Sequence, residues 1–120
     1  MVGDVEELVG QELGSVVFVR DYVQLDFDGP RLSLYVWPTV VTDRRVDFGE
    51  PGYRDALCEL IGRPVTAVDG PTLDFGGTRL LVDPAPDDVL GAEIALLQGE
   101  TTELTVWRPG EPPFDGPAWR

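Results

Sequence analysis

Asp26 and Asp74 hold equivalent places in two similar stretches, Leu25-Asp26-Phe27-Asp28-Gly29-Pro30-Arg31-Leu32-Ser33-Leu34 and Leu73-Asp74-Phe75-Gly76-Gly77-Thr78-Arg79-Leu80-Leu81-Val82. Two carboxylates held close together split their pKa values into an acid and a base, or offer hard oxygen ligands to a divalent cation. With Arg31 and Arg79 nearby, Asp26 and Asp74 make a candidate ligand or reaction site between the two stretches, and Asp28 stands beside the first. The alternation of each stretch, however, turns both acids to the polar, outward side of a strand. Carboxylates there are ordinarily solvated, whereas perturbed groups gather in clefts.

The rest of the composition removes chemistry. There is no His, so no imidazole can serve as acid, base or ligand, and the single Cys58 can form neither an internal disulfide nor a thiolate metal cluster. Serine triads and zinc hydrolases are excluded, and no metal or other cofactor is expected. Cys58 has no base near it in sequence to make a thiolate and is expected to be a small buried or half-buried filler. Gly76-Gly77 is a hairpin turn and not a phosphate loop, and Asp87-Asp88 is ordinary loop chemistry.

Tyr35 and Trp37 point to binding. The alternation that sends Leu34 and Val36 inward sends these two rings outward, and Trp107 is placed with them. Large outward aromatics are where interface energy concentrates. The competing expectation is that a helix or the proline-rich tail covers that face, because a helical apolar stripe needs a sheet to bury against.

Charge narrows the partners. Asp and Glu number 22 against 9 basic residues, all of them Arg, for a formal net charge of -13. Such a field repels phosphate backbones, so nucleic acid is not an expected partner, and it attracts cationic proteins; it also serves solubility alone. No run approaches the ~18 apolar residues of a membrane span, and Met1 to Gly10 is acidic where a signal peptide is basic and then apolar. A cytoplasmic protein without a membrane partner is expected.

The elements that would position these groups come from an internal repeat. Leu8-Val9-Gly10-Gln11-Glu12-Leu13 lies over Leu60-Ile61-Gly62-Arg63-Pro64-Val65, just as the two Asp-bearing stretches lie over each other. Each copy reads as a helix followed by strands. In the second copy Tyr53, Leu57, Leu60 and Ile61 form a helical stripe, with Pro51 near its start and Gly62 past its end. In the first only Asp4 to Val9 is available, with Asp4 as N-cap, Glu7 three residues on, and Gly10 as the stop. Val16 to Val19 should pair with the next strand through Arg20-Asp21. The hairpins are expected to set Phe27 opposite Leu32 and Leu25 opposite Leu34, then Phe75 opposite Leu80 and Leu73 opposite Val82. Their turns would be residues 28–31 and 76–79. Asp28 and Arg31 would then form a surface ion pair, as would Arg20-Asp21 and Arg54-Asp55, each contributing about 0–1 kcal/mol. Pro84 to Asp88 reads as a loop, Val89 to Gln98 as a strand or a short helix, and Leu104 to Arg108 as a strand.

The expected fold is α+β: internally duplicated αβββ units forming a curved antiparallel sheet or small barrel with pseudo-two-fold symmetry. Residues 1–108 make a single domain, with repeat copies at about 4–38 and 51–86 and a closing strand at 103–108. Residues 109–120 are a proline-rich tail, draped over the domain or disordered, with Phe114 and Trp119 as its possible anchors.

Three runs carry a resemblance: Phe18-Val19-Arg20-Asp21-Tyr22-Val23-Gln24-Leu25, Tyr35-Val36-Trp37-Pro38 and Gly49-Glu50-Pro51-Gly52-Tyr53-Arg54-Asp55-Ala56-Leu57-Cys58. They resemble a family of small uncharacterised proteins of high-GC bacteria, from the N-terminus to the end of the second copy, which implies no activity and no functional residues. In size, acidity and αβ make-up the chain is also similar in type to immunity proteins that neutralise bacterial toxins.

The expected function is a non-enzymatic acidic binding module, immunity-like or regulatory, that covers a basic protein through Tyr35, Trp37, Asp26, Asp28 and Trp107. One alternative is a small enzyme or ligand-binding barrel using Asp26, Asp74, Arg31 and Arg79. Another is a structural homo-oligomer, so both monomer and homodimer stay open.

Overall fold

Apolar alternation builds the first meander, β1 (Leu13–Phe18), β2 (Val23–Phe27) and β3 (Arg31–Leu34). Val23, Leu25 and Phe27 are buried while Gln24 and Asp26 are only half-buried, the period of two that one covered face imposes. A computed structural model describes residues 5–99 and 104–119. β4 (Thr39–Val41) and β5 (Arg45–Val46) follow as a short hairpin. Helix α1 (Tyr53–Cys58) then leads to a second meander, β6 (Ala67–Asp69), β7 (Thr72–Asp74) and β8 (Arg79–Leu81). A second hairpin, β9 (Ala95–Gln98) and β10 (Leu104–Trp107), completes the strands.

These strands form two five-stranded antiparallel sheets, ordered β1-β2-β3-β9-β10 and β5-β4-β8-β7-β6, and neither closes into the small barrel considered above. Each sheet joins a three-stranded meander from one half of the chain to the two-stranded hairpin of the other. Between the meanders, Gly10 N–H donates to Val65 and Leu13 N–H to Arg63, while Gly62 N–H donates to Leu13 and Val65 N–H to Gln11. Replacing each residue by its repeat equivalent exchanges the first two bonds with the last two.

The hairpin register differs from the expected one by two residues. Leu25 faces Leu32 and Asp26 faces Arg31; Leu73 faces Leu80 and Asp74 faces Arg79. The reason is a tighter turn in both copies: Phe27 N–H donates to the Pro30 carbonyl at 2.9 Å and Phe75 N–H to Thr78 at 2.7 Å. Gly29 (φ 112) and Gly77 (φ 102) supply the left-handed backbone that such a closure needs. A slip of two keeps every side chain on its predicted face and changes only its partner.

Helical content is smaller than the repeat suggests. The first copy has a single 3-10 turn, Val5–Leu8; Asp4, its expected cap, lies outside the described residues. In the second, α1 ends at Cys58, so Tyr53, Leu57 and Leu60 are buried but Ile61 is 44% exposed. Segments this short are not stable as isolated helices and depend on packing. Leu8, Leu25, Leu32, Leu57, Leu73, Phe75, Leu80 and Leu97, drawn from both halves, belong to one buried cluster.

Of the ambiguous run Val89–Gln98, the last four residues are strand β9, and the expected loop before it contains a 3-10 turn at Pro86–Asp88. The closing strand begins at Leu104; its expected first residue, Glu103, lies outside the described residues. The tail folds back: Phe114 is buried and meets Trp119 edge-on at 5.9 Å. Among the described residues no helix is long and apolar enough to cross a membrane.

Candidate functional site

The register decides what the paired carboxylates can do. Because Asp26 and Arg31 are opposite one another, Arg31 Nε donates to Asp26 Oδ1 at 2.6 Å, and the Ser15 hydroxyl donates to Oδ2 at 3.3 Å. In the other sheet Arg79 grips Asp74 with two bonds, Nε to Oδ1 at 2.9 Å and Nη2 to Oδ2 at 3.2 Å. Each acid is matched by the arginine of its own hairpin, with both arginine side chains about half exposed. Cross-strand pairs of this kind fasten a sheet, each contributing about 0.2–1 kcal/mol. Asp28 stands exposed at its hairpin tip, and the expected Asp28-Arg31 pair is replaced by Asp26-Arg31.

The outward aromatics separate into two settings. Tyr35 follows the end of β3, where its N–H donates to the Ile94 carbonyl, and its ring lies 5.4 Å from that of Tyr22. These rings, with Asp21, Leu90, Gly91, Ala92 and Glu93, line an open depression of about 380 Å³. Leu90 is 92% exposed. Asp21 and Glu93 border this depression, and Glu93 is paired with Arg108, whose Nη2 lies 3.9 Å from Glu93 Oε2.

Trp37 instead stacks on Phe48, centroids 4.2 Å apart and planes 13° from parallel, and Phe48 meets the edge of Tyr53 at 5.7 Å. Trp37 is packed against the core, whereas Phe48 is 51% exposed. They line a second depression of about 350 Å³ with Asp47, Asp83, Asp88 and Arg45. The segment 83–93 thus borders both depressions.

A polar network braces the second one. The Thr39 hydroxyl donates to Asp47 Oδ1 at 2.7 Å and Arg45 Nε donates to the same oxygen at 3.2 Å. The Thr39 bond, helped by Arg45, holds the Asp47 carboxyl below the ordinary carboxylate range. Asp47 N–H donates to Glu50 Oε1. Tyr53 reaches across to donate its hydroxyl to the Pro38 carbonyl; burial, with the Asp47 charge nearby, pushes its phenol well above the usual value. Asp88 accepts from Ala85 N–H at 2.8 Å, and Asp83 is exposed.

Comparison of the chain with family models, curated proteins and solved structures finds no match.

Two sequence expectations are corrected at these sites. Trp107 is buried and does not join Tyr35 and Trp37; it lies at the end of β10, where Gly70 faces both its indole and the Pro113 ring of the tail. Cys58 is exposed and not a filler, because the last residue of a helix barely six residues long lies off the Tyr53–Leu57 face that packs inward. Among the described residues no three acidic or thiol side chains come together to hold a metal ion. The residues that sequence reasoning missed are Tyr22, Leu90, Phe48 and Asp47. Phe48 could have been found from its place before Gly49-Glu50-Pro51-Gly52, a turn-forming run that leaves its neighbour little cover.

Proposed function

We propose that this chain is a non-enzymatic binding module, immunity-like or regulatory, that covers a basic segment of a protein partner. One observation carries this reading: Leu90 stands almost fully in solvent beside the Tyr22–Tyr35 pair, with Asp21 at one border and Glu93, paired with Arg108, at the other. An exposed leucine alone needs no explanation, but one set against two half-buried tyrosines in an acid-edged hollow matches the anatomy of a recognition surface. The net charge of -13 steers a cationic partner inward, and the aromatic floor then takes the apolar stems of its arginines or lysines. The Trp37–Phe48 stack with Asp83 and Asp88 extends the surface, and Asp28, free at its tip, adds to the field. Asp26 is held by Arg31 and contributes charge only.

The reciprocal strand exchange supports descent of the two halves from one duplicated unit, with the aromatic surface a specialisation of the first. Tyr35 and Trp37 align with Asp83 and Ala85 in the second copy. A cytoplasmic setting, where an exposed thiol such as Cys58 stays reduced, belongs to the same reading. The ligand-site alternative draws no support from the geometry, since Asp26 and Asp74 lie in different sheets and are separately paired.

The test is capture from host lysate on immobilised wild-type chain and on Tyr35→Ala with Leu90→Asp, followed by titration of the purified captured protein at low and high salt. A cationic protein retained by wild type should lose about thirtyfold in affinity per hot-spot side chain, about 2 kcal/mol each, with an association rate that falls as salt rises. Equal binding by the double variant refutes the surface.

A further inference from the structure

The way the sheets are shared between the halves bears on what a second copy of this chain can do. β3 of the first half pairs with β9 of the second through Arg31–Leu34 and Ala95–Gln98, and β4 of the first pairs with β8 of the second through Thr39–Val41 and Arg79–Leu81. Neither half holds a complete sheet. Each lends a hairpin to the meander of the other, and the meanders exchange the reciprocal backbone bonds at Gly10–Leu13 and Gly62–Val65. Covalently, the halves are joined only through the short Asp47–Gly52 connection.

That connection is a sharp reversal. Glu50 N–H donates to Asp47 and Tyr53 N–H to Glu50, and Gly49 (φ 94) and Gly52 (φ 83) are both left-handed. An extended conformation is open to the same residues at no steric cost. Every strand pairing between the halves would then form equally well between the first half of one copy and the second half of another.

We propose that two copies of this chain exchange halves across Asp47–Gly52, giving a dimer of two ten-stranded bodies, each built from both chains. The strands that pair with β3 and β4 of each first half then come from a second copy, and what chooses between one chain and two is the reversal itself. A short flexible connection holds the halves at an effective concentration in the millimolar range, so the closed monomer prevails at micromolar concentration. The exchange also matters at the surface. Asp21, Tyr22 and Tyr35 belong to the first half and Leu90 and Glu93 to the second, so each acid-edged hollow in the dimer takes its walls from two chains. The exchange itself does not rest on that surface being a binding site.

The test uses full-length protein. Ser33 and Leu96 are cross-strand partners between the halves. In a Cys58→Ser background, Ser33→Cys with Leu96→Cys therefore reports which chains are paired: oxidation gives an intrachain link in the closed monomer and two interchain links in the exchanged dimer. Deleting Gly49–Pro51 removes the reversal. The shortened chain should run at twice the mass of one chain by light scattering, keep the β-sheet circular dichroism of the parent, and give a covalent dimer on a non-reducing gel. A folded monomer with the intrachain link overturns the proposal, and so does a dimer whose links are all intrachain, since that is edge-to-edge pairing of closed copies. If the shortened chain aggregates, the reporter variant with the natural connection is refolded at millimolar concentration, oxidised and diluted. A covalent dimer there upholds the exchange, and purely intrachain links overturn it.

Discussion

Tyr53 ties the two halves together through one hydrogen bond, and Tyr53→Phe removes that bond while keeping the ring. Its hydroxyl donates to the Pro38 carbonyl, and both Tyr53 and Pro38 are buried. A neutral hydrogen bond contributes about 0.5–1.5 kcal/mol net, and a buried acceptor left without its donor costs about 1–3 kcal/mol. The ring still packs edge-on against Phe48 in the variant, so no cavity term is added. The loss should therefore be about 1–3 kcal/mol, or about 3–5 °C in Tm for each kcal/mol in a domain of this size. Urea unfolding followed by tryptophan fluorescence measures it. The pH dependence tests the cause. The phenol is pushed above its ordinary value of 10.0 by burial, so the protonated form is favoured in the fold. The stabilisation is complete below the unfolded-state pKa of about 10 and is lost as pH rises from there through the folded pKa. The deficit of Tyr53→Phe should be constant from neutral pH to about 9 and should narrow above about 10. A deficit under about 0.5 kcal/mol, the lower end for one such bond, would refute the reasoning, as would one that stays flat into alkali.

Asp74 and Arg79 should couple weakly. A double-mutant cycle with Asp74→Asn and Arg79→Gln is expected to give about 0.2–1 kcal/mol, shrinking with salt, and the Asp26–Arg31 pair should behave alike. A coupling above about 2 kcal/mol would show a desolvated pair of another kind. Asp47 gives an acid-side counterpart: its folded-state pKa is depressed below 3.8 by Thr39 and Arg45, so its stabilisation is complete above that value and disappears as pH falls through the folded pKa. Wild type should therefore be more stable than Asp47→Asn above about pH 4 and should converge with it in stronger acid, as thermal melts across pH will show.

The sequence made the meanders legible because Val23-Gln24-Leu25-Asp26-Phe27 and its counterpart at Leu73 alternate cleanly, and one-sided burial demands that pattern. It also showed the repeat, since Gly10 and Gly62 stop comparable segments. The partnership of the sheets was not legible. β4 and β5 are too short for alternation to announce them, and local patterning carries no information on which half a hairpin will pair with. Register was missed by two residues because patterning fixes the face and only turn closure at Phe27 and Phe75 fixes the partner. Of the candidate surface, Tyr35 and Trp37 were legible from alternation. Trp107 was misplaced because burial along the short strand β10 does not alternate, and Leu90 was hidden in a run that fits strand or helix equally.

Sharing strands between distant segments also governs how the chain emerges from a ribosome. β3 is made before β4 to β8, and its neighbour β9 only after them, while β4 must likewise wait for β8. Until β8 and β9 are made, the nascent first half carries unpaired strand edges. High contact order of this kind slows folding. The net charge of -13 counters association at such edges, because mutual repulsion keeps unfinished chains apart.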